Sequence, residues 1–169
     1  TYSKVVWATT YYFGPENSAL DSNGVLVSGA GKGFRNFIDT AVTVTPNDNF
    51  AFYVNYDYGK NNFAPASSTF GKSADWWTIA INGKIGSKKL YFAPRWEVYK
   101  DNKGFITGAA QKLQEFTGTL NYELVPGIMT KFEYRHDWSD VAYFPTGSVG
   151  LKKNQDTALI GLVMYFPLP

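Results

Sequence analysis

The sequence predicts an all-β chain, an antiparallel up-and-down transmembrane β-barrel of about eight strands, and three observations carry the prediction. Between Ile128 and Trp138, Lys131, Glu133, Arg135 and Asp137 alternate with Phe132, Tyr134 and Trp138, a two-residue period that an extended chain keeps on two faces and a helix would scatter. Aromatic residues make up 18% of the 169, including 12 Tyr and 13 Phe, yet the mean hydropathy is slightly negative, so apolar side chains abound without gathering into runs. No stretch approaches the roughly 20 apolar residues of a transmembrane helix, whereas a transmembrane strand needs only about 9–11 residues and hides its apolar half among polar ones. Connections of two lengths, short and long, alternate along the chain.

Eight strands follow in order. The first, 3–13, places Val5, Trp7, Tyr11 and Phe13 on one face and Lys4 on the other; 34–45 sets Ile38, Val42 and Val44 against Asp39. The third, 50–60, opposes Phe52, Val54, Tyr56 and Tyr58 to Asn55 and Asp57, and 75–85 opposes Trp77, Ile79 and Ile81 to Asn82 and Lys84. Strand 89–101 sets Leu90, Phe92, Trp96 and Val98 against Arg95 and Glu97. It contains Pro94, which lacks a ladder donor and predicts a bulge or a shifted boundary. Strand 111–124 sets Phe116, Leu120, Tyr122 and Leu124 against Glu115, Asn121 and Glu123, 128–139 carries the founding alternation, and 153–166 aligns Ile160, Leu162, Met164 and Phe166. Tight turns are expected at 46–49, 86–88 and 125–127, rich in Pro, Gly, Asn and Asp, and long polar loops at 14–33, 61–74, 102–110 and 140–152. An even strand count puts both termini on the short-turn side.

With no linker, the chain reads as a single domain over 1–169. In a barrel, the lipid-facing set includes Trp96, Phe116, Leu120, Phe132, Tyr134, Ile160, Leu162 and Phe166, since a Lys or Arg at the bilayer midplane costs about 2–4 kcal/mol. The lumen-lining set is Arg95, Glu97, Glu115, Lys131, Glu133, Arg135 and Asp137. Charges so enclosed require pairing or water. The structural reading of this set is a charge ladder that fills a narrow lumen; the functional one is a constriction that sorts solutes by opposed acids and bases. Eight strands enclose little more than their own side chains, which favours the ladder for this chain alone.

Other chemistries find little support. A net charge of +2, dispersed among acids, excludes nucleic acid as the expected partner. Zero cysteines remove disulfides, thiolate metal sites and thiol catalysis. The chain opens at Thr1 without a signal peptide, as a processed or excised form of an exported protein would. His136 and Asp137, with Ser139 nearby, mimic pieces of a hydrolase triad, but neighbouring strand residues point to opposite faces, so His136 is expected beside Trp138 at an interface. The Gly29–Gly33 run lacks phosphate-loop spacing. Asp21, Asp101 and Asp140 are loop acids of the kind that could meet around calcium, though such acids usually only solvate loops. No catalytic residue, cofactor or metal is expected.

Three stretches, Lys112 to Leu124 (KLQEFTGTLNYEL), Lys131 to Ser139 (KFEYRHDWS) and Leu151 to Phe166 (LKKNQDTALIGLVMYF), resemble the C-terminal region of the OmpL-like β-barrel porins of bacterial outer membranes. Thr10 to Glu16 and Phe50 to Gly59 are similar to the preceding hairpins of that family. The resemblance implies a Gram-negative outer-membrane barrel that passes small hydrophilic solutes by diffusion and is in contact with outer-membrane lipid. Family members are usually longer, so the chain is either a barrel domain in itself or the C-terminal part of a longer barrel, whose further strands a wide pore would need. Ala158, Ile160, Leu162, Met164 and Phe166 resemble the signal read by the barrel-assembly machinery, with Pro167, Leu168 and Pro169 trailing. The alternatives are a closed eight-stranded barrel serving as membrane anchor or loop-mediated binding scaffold, a soluble ligand-binding barrel of lipocalin type, which needs the reverse polarity, and a membrane hydrolase.

Overall fold

A computed structural model of the chain describes residues 4–15, 33–67, 69–147 and 149–166. The described residues hold only β-strands: β1 (Lys4–Pro15), β2 (Phe34–Asn47), β3 (Phe50–Ser67), β4 (Gly71–Gly86), β5 (Leu90–Asp101), β6 (Gln111–Val125), β7 (Ile128–Ser139), β8 (Phe144–Pro145), β9 (Leu151–Lys152) and β10 (Asn154–Met164). Eight of them form one antiparallel sheet in the order β1-β2-β3-β4-β5-β6-β7-β10, and β8 pairs with β9 in a small hairpin. Every neighbour in the large sheet is also the neighbour in sequence apart from that inserted hairpin. The sheet is not closed: β1 and β10 are its two edges.

The expected strands 34–45, 50–60, 111–124 and 128–139 recur with ends moved by few residues except in β3. The tight turns also recur. Asn47 accepts the Asn49 amide at 2.9 Å, and Pro126 and Gly127, the latter at φ 89°, join Val125 to Ile128, a pairing of Pro with a positive-φ Gly that suits a two-residue reversal.

Two expectations are corrected. The long loop 61–74 is mostly strand: β3 runs on to Ser67 and β4 begins at Gly71, with Asn61 opposite Ala74 and Ser67 opposite Gly71. The Ser67 hydroxyl takes the amides of Thr69 and Phe70, each at 3.2 Å, and Phe63 stacks on Phe70. Side-chain packing thus overrides the polar, turn-like composition of that stretch, and the regular alternation of short and long connections fails there. Pro94, in turn, produces neither a bulge nor a boundary. Asn82 pairs with Arg95 and Ile85 with Phe92 in unbroken register, with no pairing between, while Pro94 stays opposite Gly118 on the β6 side. Gly83 makes room for the ring: a Cβ there would stand 3.1 Å from the Pro94 Cγ.

Registers keep each face of the sheet uniform from strand to strand. Trp7, Val42, Val54, Ile81, Trp96 and Phe116 are successive cross-strand partners, as are Leu120, Phe132 and Ile160. The face carrying Phe116 is here called outer and the one carrying Glu115 inner. Burial is inverted relative to a water-soluble sheet. Glu115, Thr117, Thr119 and Asn121 are buried in β6, while Phe116, Leu120, Tyr122 and Leu124 on the other parity are exposed. Phe132 is 49% exposed and Ile160 78%, against 6% for Glu115 and 4% for Asp137. Val98 is the exception on the outer face, buried beside Ile79.

Candidate functional site: the charged inner face

Strands β5, β6 and β7 bring one row of acids and one of bases together because their registers match. Glu97 stands opposite Glu115 and Glu115 opposite Asp137; one row on, Arg95 and Arg135 flank Thr117. Three carboxylates in line repel one another, and the two guanidiniums bridge them. Arg95 Nη1 donates to Glu115 Oε1 at 3.1 Å and its Nη2 to Glu97; Arg135 Nη2 donates to Glu115 Oε2 at 3.0 Å and to Asp137 at 2.7 Å. Thr117 donates a further 2.7 Å bond to Glu115, and Gln155 of β10 reaches Asp137 at 3.0 Å. Glu115 is therefore the hub, with a charge-assisted bond from each side. Of the residues expected to line a lumen, Arg95, Glu97, Glu115, Arg135 and Asp137 form this cluster. Glu133 instead accepts a 2.8 Å bond from Thr119, and Lys131, opposite Asn121, makes no ion pair among the described residues.

Above the cluster, two connections fold over the inner face. The loop after β5 is tied to the buried carboxylate of Asp101, which accepts the amides of Phe105, Ile106 and Thr107 at 2.8–3.0 Å and the Thr107 hydroxyl at 3.2 Å. A polar relay continues from Thr107 through the buried Gln111 amide to Ser139, with bonds of 3.0 and 2.8 Å. Phe105 enters an aromatic group with Phe63, Phe70 and Trp76, and the Arg35 guanidinium lies 5.4 Å over the Trp76 ring. The connection from β7 to β10 sends Tyr143 and the buried Phe144 inward. A cavity of about 310 Å³ results, floored by Glu97, Glu115, Arg135 and Asp137 and walled by Tyr99, Leu113, Thr107, Tyr143 and Phe144. A second, of about 220 Å³, lies on the turn side of the same cluster and shares Glu115 and Arg135 with it.

The loop acids do not converge. Asp101 is consumed by its own loop, and Asp140 accepts the Lys112 amide at 2.8 Å. That bond, with Lys100 nearby, holds the Asp140 carboxyl below the ordinary range. Asp21, nearly all of Gly29–Gly33 and Pro167–Pro169 lie outside the described residues. No group of three His, Asp or Glu residues fit for a metal occurs among the described residues. His136 and Asp137 do part to opposite faces. His136 Nδ1 pairs with Asp156 at 2.8 Å and its ring lies 5.4 Å from Trp138, while Asp137 binds Arg135.

Sequence reasoning missed Tyr143, Phe144 and Phe105 as contributors to the inner surface. All three sit in or beside loops, where no periodicity announces which way a side chain turns. It also missed Asp156, a carboxylate on the outer face held by Tyr134 and His136. Its even spacing from Ile160 was visible in the sequence.

An antiparallel strand meander that is apolar outside and charged inside defines a porin-like, all-β class. Comparison with protein families then gives the family: residues 1–166 match beta-barrel porin-2, OmpL-like, and the chain belongs to it. Membership implies a non-enzymatic, channel-type protein. A comparison with curated proteins gave no match.

Proposed function

We propose that the chain forms wall of an outer-membrane β-barrel of porin type, with its outer face against lipid and its inner face lining a water-filled path for passive diffusion of small hydrophilic solutes. The observation that carries this reading is the inverted burial of β6 and β7, where acids and hydroxyls are sheltered and Phe116, Leu120, Phe132 and Tyr134 are bare. In water, such a surface across eight strands would be an apolar patch far beyond the few hundred Å² a soluble monomer tolerates. In hydrocarbon it is the favourable side. The edges β1 and β10 present open backbone groups, each costing several kcal/mol in lipid if left unpaired, so closing the wall belongs to this reading. A ring of only eight strands leaves little space beyond its side chains, and a wide path needs more wall than these. Ile160, Leu162 and Met164 are exposed on the edge strand β10, which supports recognition of that strand by the assembly machinery.

The test is insertion of the full chain into liposomes, read by heat-modifiable mobility on gels. Phe132→Arg is expected to weaken folding in the bilayer by about 2–4 kcal/mol, while Lys131→Gln on the other face leaves insertion intact. A Phe132→Arg chain that inserts normally, or wild type that folds without detergent or lipid, overturns the assignment. In planar bilayers this chain alone is expected to pass little stable current.

A further inference from the structure

The inner face is electrically uneven along its length. On the loop side, Asp39, Asp57, Glu97, Asp101, Glu115 and Asp137 share it with Arg35, Arg95 and Arg135; nearer the turns, Lys4, Lys84 and Lys131 accompany Glu123 and Glu133. The two guanidiniums are already divided among Glu97, Glu115 and Asp137, which leaves that cluster one negative charge in excess. Asp39 and Asp57 stand directly opposite each other across β2 and β3. Their shared partner is the Asn55 amide, 3.3 Å from each, and among the described residues neither has a Lys or Arg within ion-pair distance. Like charges in that relation are destabilising, and an opposite charge from solution relieves them. The whole chain, at net +2, gives no hint of this local surplus.

The cavity of about 310 Å³ sits on the acidic side and is of the size of a small-molecule site. Its floor holds three carboxylates and the Arg135 guanidinium, with Arg95 bonded to two of the three from the side, and its walls offer Leu113 and the rings of Tyr99, Tyr143 and Phe144. Aromatic faces attract cations, and rings of Asp and Glu favour cation passage. The Tyr99 hydroxyl adds a buried polar atom with no hydrogen-bond partner among the described residues.

We infer that this cavity is a binding station for small organic cations with an apolar body, and that solutes moving along the inner face are selected for positive charge. Binding stands on the cavity itself; selection during passage rests on the porin reading.

The test uses the full chain folded in zwitterionic micelles and three probes of matched shape, benzylammonium, benzyl alcohol and benzoate, followed by ligand-observed NMR. Benzylammonium is expected to bind about tenfold tighter than the alcohol, the worth of one charge-assisted contact, and benzoate not at all. Glu97→Gln should remove most of that advantage and Asp57→Asn a smaller part, and added salt should weaken binding of the cation alone. Should Glu97→Gln fail to fold, judged by gel mobility, Asp57→Asn and the salt series decide. Benzoate binding as tightly as benzylammonium, or an advantage unmoved by the variants and by salt, overturns the inference. Liposome permeation separates the two readings. Cation binding without permeation leaves the site and removes the passage, whereas permeation indifferent to charge removes the selection and leaves the porin.

Discussion

Replacing Glu115 by Ala tests whether one carboxylate holds three strands together. The side chain is 7% exposed and accepts bonds from Arg95 at 3.1 Å, Arg135 at 3.0 Å and Thr117 at 2.7 Å. Removing one member of a buried ion pair typically costs 3–5 kcal/mol, because the charge left behind has lost its partner. Here the orphans are partly relieved. Arg95 retains Glu97 and Arg135 retains Asp137, and both guanidiniums are about two-fifths open to solvent, which screens them. The expected loss is therefore about 2–3 kcal/mol, below the full penalty of a dry site. Equilibrium urea unfolding in lipid vesicles, followed by tryptophan fluorescence, measures it. A cycle pairing Glu115→Ala with Arg135→Met should show that the second substitution costs less once the first is made. A loss under about 0.5 kcal/mol, or strict additivity of the pair, would refute the hub, since it would fall within the range of about 0.2–1 kcal/mol that exposed surface pairs give.

Asp101→Ala should free the loop after β5, because the three amides of Phe105, Ile106 and Thr107 lose their acceptor. Hydrogen exchange at these amides is expected to rise by at least about tenfold, as loss of one charge-assisted bond allows, with the sheet unaffected. Gly59→Ala should cost about 1–3 kcal/mol by overpacking, since the new Cβ would stand 2.1 Å from the Trp76 ring, which is itself pinned by Phe105 and Arg35; unfolding midpoint and tryptophan emission report it.

Strand identity and facing were legible because period-two alternation is a local property: Lys131 to Trp138 declares both faces within eight residues. The pairing that joins Arg95, Glu115 and Arg135 could be anticipated once neighbouring strands were placed in order. What could not be read was anything decided by a side chain outside the alternation. Phe63 on β3 and Phe70 in the turn that follows carry the hairpin through a stretch whose Asn, Gly and Ser residues look like loop, because their stacking is a contact across the reversal. Pro94 misled in the opposite direction. Its ring is accommodated by Gly83, eleven residues away on the neighbouring strand, and no local rule anticipates that accommodation. Phe144 and Tyr143, which roof the cavity, belong to a connection whose fold depends on the strands beneath it.

The Glu115 hub also ties strand register to charge. If β7 slipped by a single residue against β6, Arg135 and Asp137 would turn outward and Glu115 would lose its bridge. A hairpin mispaired in that way would strand two ions on the apolar face, and on the proposed membrane reading that face meets hydrocarbon, where an exposed Lys or Arg costs about 2–4 kcal/mol. Register is thereby selected by charge, through the five side chains that meet at Glu115.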